Sequence, residues 1–197
     1  MNSSKTMRTF IACPIPKETV QSIKNVQEKL KKYNWKIRWT PVENIHLTLS
    51  FLGNINLQQK INIEKTLEPL VLSQKVMKFQ LGNLGVFPST NRPNILWIGL
   101  SGDNQDLIGF QKKVQTELIP LGFPMDKRPF KAHLTIGRVK GRIPKNQLGE
   151  ALCMDILSEN YKFCFDSVVF YQSILSPQGA TYKVISRNQF TRISSSS

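Results

Sequence analysis

The two histidines of the chain, His46 and His133, each open a run of the same pattern: His-Leu-Thr followed by an aliphatic residue. Successive side chains of an extended strand point to opposite faces, so a histidine and the threonine two residues later share one face. Each run therefore predicts a strand that presents an imidazole beside the hydroxyl of Thr48 or Thr135. Two such strands facing one groove would supply a general base, a general acid and two hydroxyl donors.

This set of groups fits chemistry at phosphorus. Because imidazole titrates near neutral pH, a histidine pair holds one neutral base and one protonated acid together. In-line displacement needs both, since one proton leaves the attacking oxygen and another goes to the leaving oxygen. Arg138, five residues after His133, is expected to bind non-bridging oxygens together with the threonine hydroxyls. Phe51 holds the matching place after His46 and predicts a base-stacking surface.

Other chemistries fit less well. A zinc centre needs a third ligand at metal spacing, which Cys13, Cys153 and Cys164 do not supply. A Ser-His-Asp triad uses one histidine and leaves the second motif unexplained. Gly82-x-x-Gly85 lacks the Lys-Ser/Thr of a P-loop. We therefore expect no metal and no cofactor, and we interpret the three cysteines as reduced core thiols.

Composition limits the class of protein and its partners. A chain of 197 residues with 40% hydrophobic residues suits one globular domain. Its net charge of +14 favours a polyanionic partner, usually nucleic acid, and the alternative is a basic solvated surface. The first nine residues lack the apolar core of a signal peptide, and no apolar run approaches membrane-spanning length. We expect a cytoplasmic monomer.

Hydrophobic periodicity predicts the elements that position the motifs. We expect helices over 17–32, 57–72 and 145–158, and a further helix with its apolar stripe from Leu107 to Leu118. Besides the two histidine strands, we expect strands over 8–14, 77–86, 95–100, 161–175 and 180–186. Gly53-Asn54 is a turn signal, residues 33–43 are irregular, and 87–94 and 122–129 are loops. Trp35, Trp39 and Trp97 are interpreted as packing residues rather than nucleobase platforms.

The order of elements repeats along the chain. Phe10 precedes His46 by 36 residues, Trp97 precedes His133 by 36, and the histidines lie 87 positions apart. This repeat predicts an α+β fold of two pseudo-twofold-related lobes within a single domain, 1–197, its halves running roughly over 8–90 and 91–190. Equivalent residues meet across such an axis, so we expect the two histidines to face each other in a central cleft.

The motifs and their flanks resemble a known family. Residues 39–53 (WTPVENIHLTLSFLG) and 128–138 (RPFKAHLTIGR) resemble the two signatures of the two-histidine (2H) phosphoesterase superfamily. The most similar branch is that of the RNA 2′,3′-cyclic phosphodiesterases, also called 2′-5′ RNA ligases. The resemblance extends to residues 8–12 and 171–182 and so covers nearly the whole chain. Ala132 departs from the proline that many relatives have before the second histidine.

This resemblance implies a bilobal fold with an antiparallel sheet in each lobe, helices on the outer faces and both motifs in the cleft. It implies metal-independent opening of a terminal 2′,3′-cyclic phosphate of RNA to a 2′-phosphate. By analogy His46 protonates the departing 3′ oxygen and His133 activates water, although pseudo-symmetry leaves the reverse assignment open.

Further site residues follow from the same resemblance. Thr48, Thr135 and Arg138 carry over as phosphate contacts. Arg128 and Phe130 match the lead-in to the second motif and are candidate substrate contacts, and Arg128 could equally be structural. Three alternatives stay open: reversible 2′-5′ RNA ligase activity, a phosphodiesterase acting on 2′,5′-linked oligonucleotides, and a non-catalytic RNA-binding module.

Overall fold

The computed structural model of the chain describes residues 6–154, 162–177 and 179–191. Four α-helices are described within these ranges: α1 (Lys17–Lys31), α2 (Leu57–Leu72), α3 (Asn104–Leu118) and α4 (Lys145–Leu152). The strands are β1 (Met7–Pro14), β2 (Ile37–Trp39), β3 (His46–Ile55), β4 (Met77–Ser89), β5 (Arg92–Gly102), β6 (His133–Val139), β7 (Lys162–Phe165), β8 (Ser167–Ser176) and β9 (Gly179–Gln189).

Two antiparallel sheets form the frame of the molecule. The first has the strand order β3-β1-β8-β9 and the second β2-β6-β5-β4-β7, so each sheet contains one histidine strand. Helices α2 and α3 pack against the first sheet, and α1 and α4 pack against the second. Strands β3 and β6 meet where the two sheets face each other. The predicted α+β fold with two antiparallel sheets and duplicated lobes is confirmed.

The two lobes exchange strands. β4 and β8 are equivalent in the repeat, since they end at Ser89 and Ser176, 87 positions apart. However, β4 pairs with β5 of the second sheet, and β8 pairs with β1 of the first. Each lobe therefore contains strands from both halves of the sequence, and the spatial lobes do not coincide with 8–90 and 91–190.

Apolar stripes anchor the helices as their spacing predicts. Ile23, Val26 and Leu30 of α1 are buried, and α3 buries the equivalent stripe that ends at Leu118. α2 begins with a capping box: the Asn56 side chain accepts from the Gln59 N–H, and the Gln59 side chain accepts from the Asn56 N–H. This reciprocal pair satisfies two backbone donors that a helix start would otherwise leave unbonded.

Two sequence-based turn predictions were wrong. β3 continues through the expected turn at Gly53-Asn54, because Gly53 takes a φ of +72° at an irregularity in the β1–β3 pairing rather than in a reversal. The expected loop over 87–94 is a β-hairpin, with Ser89 opposite Arg92. Proline signals a loop because it cannot donate to a ladder, but here Pro88 and Pro93 lie opposite each other.

Three other expectations also need correction. β2 forms within the irregular stretch 33–43. α4 ends at Leu152, short of the expected 158, and residues 155–158 lie outside the described ranges. The long strand expected over 161–175 is two strands: β7 pairs with β4 and β8 with β1, in different sheets, so the chain changes sheets at Asp166. Residue 161 lies outside the described ranges.

The cysteines are not all core residues. All three are free thiols, as expected, but Cys13 alone is fully buried, Cys164 is half-buried and Cys153 is exposed. Burial raises the pKa of the Cys13 thiol, so this side chain stays neutral and acts as a small apolar residue.

Candidate active site

A cleft of about 630 Å³ lies between the two sheets and brings the two motifs together. Six of the predicted site residues line it: His46, Thr48, Phe51, His133, Thr135 and Arg138. Each imidazole shares its strand face with the threonine two residues later, while Leu47 and Leu134 between them are buried. The apolar residues hold each strand, and the polar ones face the cleft.

A β-bulge explains how residues five positions after the histidines also reach the cleft. Strict alternation would place an odd-numbered separation on the opposite face. In β3 the register shifts between Ile11 and Ala12, which leaves Leu49 as the extra residue, and in β6 Ile136 is extra. Leu49 and Ile136 lie 87 positions apart, so the two bulges are equivalent. Each bulge reverses the alternation of side chains for the residues that follow it, so Phe51 and Arg138 lie on the cleft side of their strands.

Both imidazoles are oriented by the same local contact. His46 Nδ1 lies 2.8 Å from the carbonyl oxygen of Asn44, and His133 Nδ1 lies 2.7 Å from that of Lys131. A carbonyl oxygen only accepts, so each Nδ1 carries the hydrogen and donates it. Each neutral ring therefore has its lone pair on Nε2, which is the atom left to take up a proton from a substrate or water.

Aromatic side chains surround His46. Phe10 stacks on its ring at a centroid distance of 4.7 Å, and Tyr182 contacts it edge-on at 5.2 Å. The pKa of His46 is lowered to about 4, mainly by burial; the hydrogen bond to the Asn44 carbonyl opposes this shift, and the charge of a protonated His133 adds to it. His46 is therefore neutral in the free protein at neutral pH.

The surroundings of His133 repeat this arrangement with one added cation. Phe87 meets its ring edge-on at 5.0 Å, and Trp97 lies 6.2 Å away. The ammonium of Lys131 sits 4.4 Å from the centroid of the Trp97 ring. Burial lowers the pKa of His133, and the Lys131 charge lowers it further, against the opposing effect of the hydrogen bond to the Lys131 carbonyl. Phe10 and Trp97, equivalent in the repeat, thus each contact the histidine of their own lobe.

Cations line the cleft without balancing anions. Arg8, Arg38, Arg138 and Lys140 border it, and among the described residues that line it there is no aspartate or glutamate. Such a cleft attracts phosphate groups, because the charges act together across a partly enclosed space. Part of the net charge of +14 is thus concentrated along this cleft.

The structure does not bring Arg128 and Phe130 into this site. Arg128 is exposed and forms an ion pair with Asp126 at 2.9 Å, and Phe130 packs partly buried against the core. Among the described residues, neither side chain is part of the cleft lining. Their match to the family pattern in the sequence does not give them a contact in the cleft.

Sequence reasoning missed several lining residues. Trp39, interpreted as a packing residue, borders the cleft together with Arg8, Arg38 and Tyr182. Arg38 lies on a three-residue strand within a stretch that has no recognisable periodicity, so no pattern marked it. Trp35 and Trp97 are 9% and 8% exposed and do pack as expected.

Within the described ranges, no group of three or more His, Cys, Asp or Glu residues is arranged to hold a metal ion. None of the helices found there combines the length and apolar character needed to span a bilayer.

The duplicated fold and paired motifs agree with a comparison against protein families. The family model described as LigT-like phosphoesterase matches the chain twice, over residues 13–97 and 98–182. The chain therefore belongs to the LigT-like phosphoesterase family, and each of the two matches contains one of the His-Leu-Thr motifs.

Individual relatives agree with this assignment. The chain is 33% identical to the RNA 2′,3′-cyclic phosphodiesterase of Thermotoga maritima, over 93% of this chain and 96% of the relative. It is 32% identical to the protein of the same name from Methanocaldococcus jannaschii, with coverages of 91% and 98%. The crystal structure of Escherichia coli LigT in apo form is similar in fold, with a TM-score of 0.75, 20% identity and coverages of 95% and 99%.

Proposed function

We propose that the protein hydrolyses terminal 2′,3′-cyclic phosphates of RNA to 2′-phosphates by two-histidine acid–base catalysis. The observation that carries this proposal is the arrangement of the two imidazoles. Both donate from Nδ1 to a backbone carbonyl, and both line one cleft that holds cations and no lining carboxylate among the described residues. The names of the relatives from Thermotoga and Methanocaldococcus support the same reaction.

The proposed reaction is a single displacement at phosphorus. One Nε2 removes a proton from water as the water oxygen forms its bond to phosphorus. The bond between phosphorus and the 3′ oxygen breaks, and the other imidazole, protonated on Nε2, gives its proton to that oxygen. Thr48, Thr135 and Arg138 hold the non-bridging oxygens, where negative charge builds up. Phe51 lies on the β3 side of the cleft, is 72% exposed and offers a surface on which a nucleobase stacks.

The acid must acquire its proton as the substrate binds. The family resemblance assigns the acid role to His46, yet its pKa of about 4 leaves it neutral in the free protein. The negative charge of a phosphodiester beside the ring favours the imidazolium and raises this pKa. Protonation of the acid and binding of the substrate are therefore coupled in this mechanism.

The test uses protein dialysed against a chelator and a short RNA that ends in a 2′,3′-cyclic phosphate. We expect turnover to a 2′-phosphate, identified by phosphorus NMR. His46→Ala and His133→Ala should each lower kcat by a factor of about 10² to 10⁴, since each removes one proton-transfer group. Thermal unfolding of both variants checks that they remain folded.

Each other outcome has a definite meaning. Turnover retained in either folded variant contradicts the two-histidine mechanism. A 3′-phosphate product shows that the 2′ oxygen departs instead. No turnover by the unmodified protein contradicts the proposed activity, and a 2′,5′-linked dinucleotide tested in parallel shows whether that linkage is the substrate.

A further inference from the structure

Arg38 and Arg138 face each other directly in the β2–β6 ladder. Like charges at opposed positions of an antiparallel pair destabilise the sheet. Among the described residues, no carboxylate lies within ion-pair distance of either guanidinium. Both side chains are exposed and line the cleft, as does Lys140 two residues beyond Arg138. The ladder thus places two like charges at the mouth of the site, an arrangement that a bound anion would stabilise.

We propose that Arg38 and Lys140 form a second phosphate subsite, next to the reacting phosphate held by Arg138 and the threonines. This proposal rests on the proposed function and specifies its substrate. The ligand is the phosphodiester that joins the cyclic-phosphate nucleotide to the rest of the RNA. Trp39, which follows Arg38 and also lines the cleft, lies beside this subsite and offers a ring on which the next base could stack. The cleft therefore selects an RNA end over a free cyclic mononucleotide.

The test compares Arg38→Ala and Lys140→Ala on two substrates, a nucleoside 2′,3′-cyclic monophosphate and a five-nucleotide RNA with the same end. We expect each variant to lose about tenfold in kcat/KM on the RNA, as for one charge-assisted contact, and to act normally on the mononucleotide. For each variant the salt slope of RNA binding should fall by about 0.7. Arg92→Ala, an exposed arginine of β5 outside the described cleft lining, is the matched control and should behave like the unmodified protein.

A loss of equal size on both substrates would place Arg38 and Lys140 on the reacting phosphate and overturn the second subsite. Unchanged kcat/KM on the RNA would overturn it as well. A protein that turns over neither substrate before mutation contradicts the proposed function itself, which is a separate result. Arg38→Ala should not lower the melting temperature, since it removes a like-charge pair, and a clear drop would indicate a structural role.

A second, independent observation concerns two buried glutamines. Gln27 of α1 donates to the carbonyl oxygen of Ile136 at 2.9 Å and to that of Thr40 at 2.8 Å. Gln111 of α3 donates to the carbonyl oxygen of Leu49 at 3.2 Å. The glutamines are only 4% and 6% exposed. The two acceptors Leu49 and Ile136 are the extra residues of the two equivalent bulges, and the Ile136 carbonyl also accepts from the Thr40 backbone N–H at 3.0 Å.

We infer that Gln27 and Gln111 are positioning residues, each holding one bulge and through it one cleft side chain. Gln27 acts through Ile136 on Arg138, and Gln111 acts through Leu49 on Phe51. Each glutamine thus adds a buried hydrogen bond to its bulge, and loss of that bond would shift the balance toward a regular register, in which the residue five places after the histidine turns away from the cleft.

Double-mutant cycles test this pairing. Gln27→Met removes the donors at similar length, and we expect it to lower kcat/KM about as much as Arg138→Ala does, with no additional loss in the double variant. Combined with Phe51→Ala, its effect should be additive. Gln111→Met should show the reverse pairing, non-additive with Phe51→Ala and additive with Arg138→Ala, and it tests the inference independently if Gln27→Met does not fold. Losses that are additive in all four combinations would show that the glutamines stabilise the fold alone and would overturn the inference.

Discussion

The neutral state of His46 is set by its neighbours rather than by an acidic partner. The stacked Phe10 ring and the edge of Tyr182 remove water from the imidazole, and the Asn44 carbonyl fixes its tautomer. A histidine held by a carboxylate would have its pKa raised and would stay protonated. The backbone carbonyl orients the ring and leaves Nε2 free to take up a proton, as the proposed mechanism requires.

The low pKa of His46 predicts how stability depends on pH. The unfolded chain binds a proton at a pKa of about 6.5, whereas folded His46 binds it only near 4. Above pH 6.5 the imidazole is neutral in both states and does not reduce the free energy of unfolding. As the pH falls from 6.5 to 4 the unfolded chain takes up the proton first, so the free energy of unfolding decreases, by about 3 kcal/mol at most. Urea unfolding of the protein and of His46→Asn at pH 7, 5.5 and 4 should show a shallower pH dependence in the variant. The same pH dependence in both proteins would contradict the burial of an ionisable His46.

A substrate with a better leaving group can show which histidine is the acid and which is the base. In a nucleoside 2′-(p-nitrophenyl phosphate) the bond to the 2′ oxygen is kept, and a phenolate that needs no proton leaves in place of the 3′ oxygen, so the acid becomes dispensable while the base does not. If His46 is the acid, His46→Ala should keep most of the activity on this ester, and His133→Ala should lose it. Initial rates by absorbance measure this, and the opposite pattern would reverse the two roles.

Among the elements, the paired bulges have the largest effect on the site. The sequence shows that Phe51 and Arg138 are equivalent, but alternation alone would place them behind the strand. The register shifts at Leu49 and Ile136 reverse this, and a bulge leaves no mark in the hydrophobic pattern. The strand face of His46 and His133 was predictable, because the two-residue alternation of a strand holds up to the bulge. The residues beyond the bulge were assigned to the site from their matching positions in the two motifs and from the family resemblance.

The prediction of elements failed for a related reason. Helix stripes and caps are local signals, so α1 and α2 were predicted to within one residue of their described ends. The division of one apolar run into β7 and β8 depends on which sheet each part joins, which is a long-range property. Arg38 on the short β2 is visible as a site residue only after β2 is paired with β6.

Two glycines in different surroundings, one packed between β4 and β5 and one on the open side of α3, should respond oppositely to replacement by alanine. A Cβ on Gly85 would lie 2.1 Å from the Trp97 ring, the ring that contacts His133, whereas a Cβ on Gly109 of α3 meets nothing within 4 Å. We expect Gly85→Ala to destabilise the protein by about 1–3 kcal/mol through overpacking. Gly109→Ala should stabilise it by about 0.5–1 kcal/mol, since alanine favours the helix. Denaturant unfolding measures both, and a neutral Gly85→Ala would show that Trp97 is free to move.

For the whole molecule, strand exchange makes the two lobes depend on each other. β4 lies between β5 and β7, and β8 lies between β1 and β9, so neither half of the sequence contains a complete sheet. Fragments 1–90 and 91–197 should each fail to unfold cooperatively when alone, because each lacks an interior strand. Mixing them should restore a cooperative transition, followed by circular dichroism. A cooperative transition from either fragment alone would contradict this dependence.

The exchange also bears on how such a site arose. Two copies of one repeat that each donate a strand to the other have the arrangement of a strand-swapped homodimer joined into one chain. In an exactly symmetric dimer of this kind, the two histidines would be one residue, and Phe51 and Arg138 would occupy one position. Such a site would have two equivalent ends. In the single chain these two positions differ, with an aromatic ring on one side and a cation on the other, and this difference gives the cleft a direction.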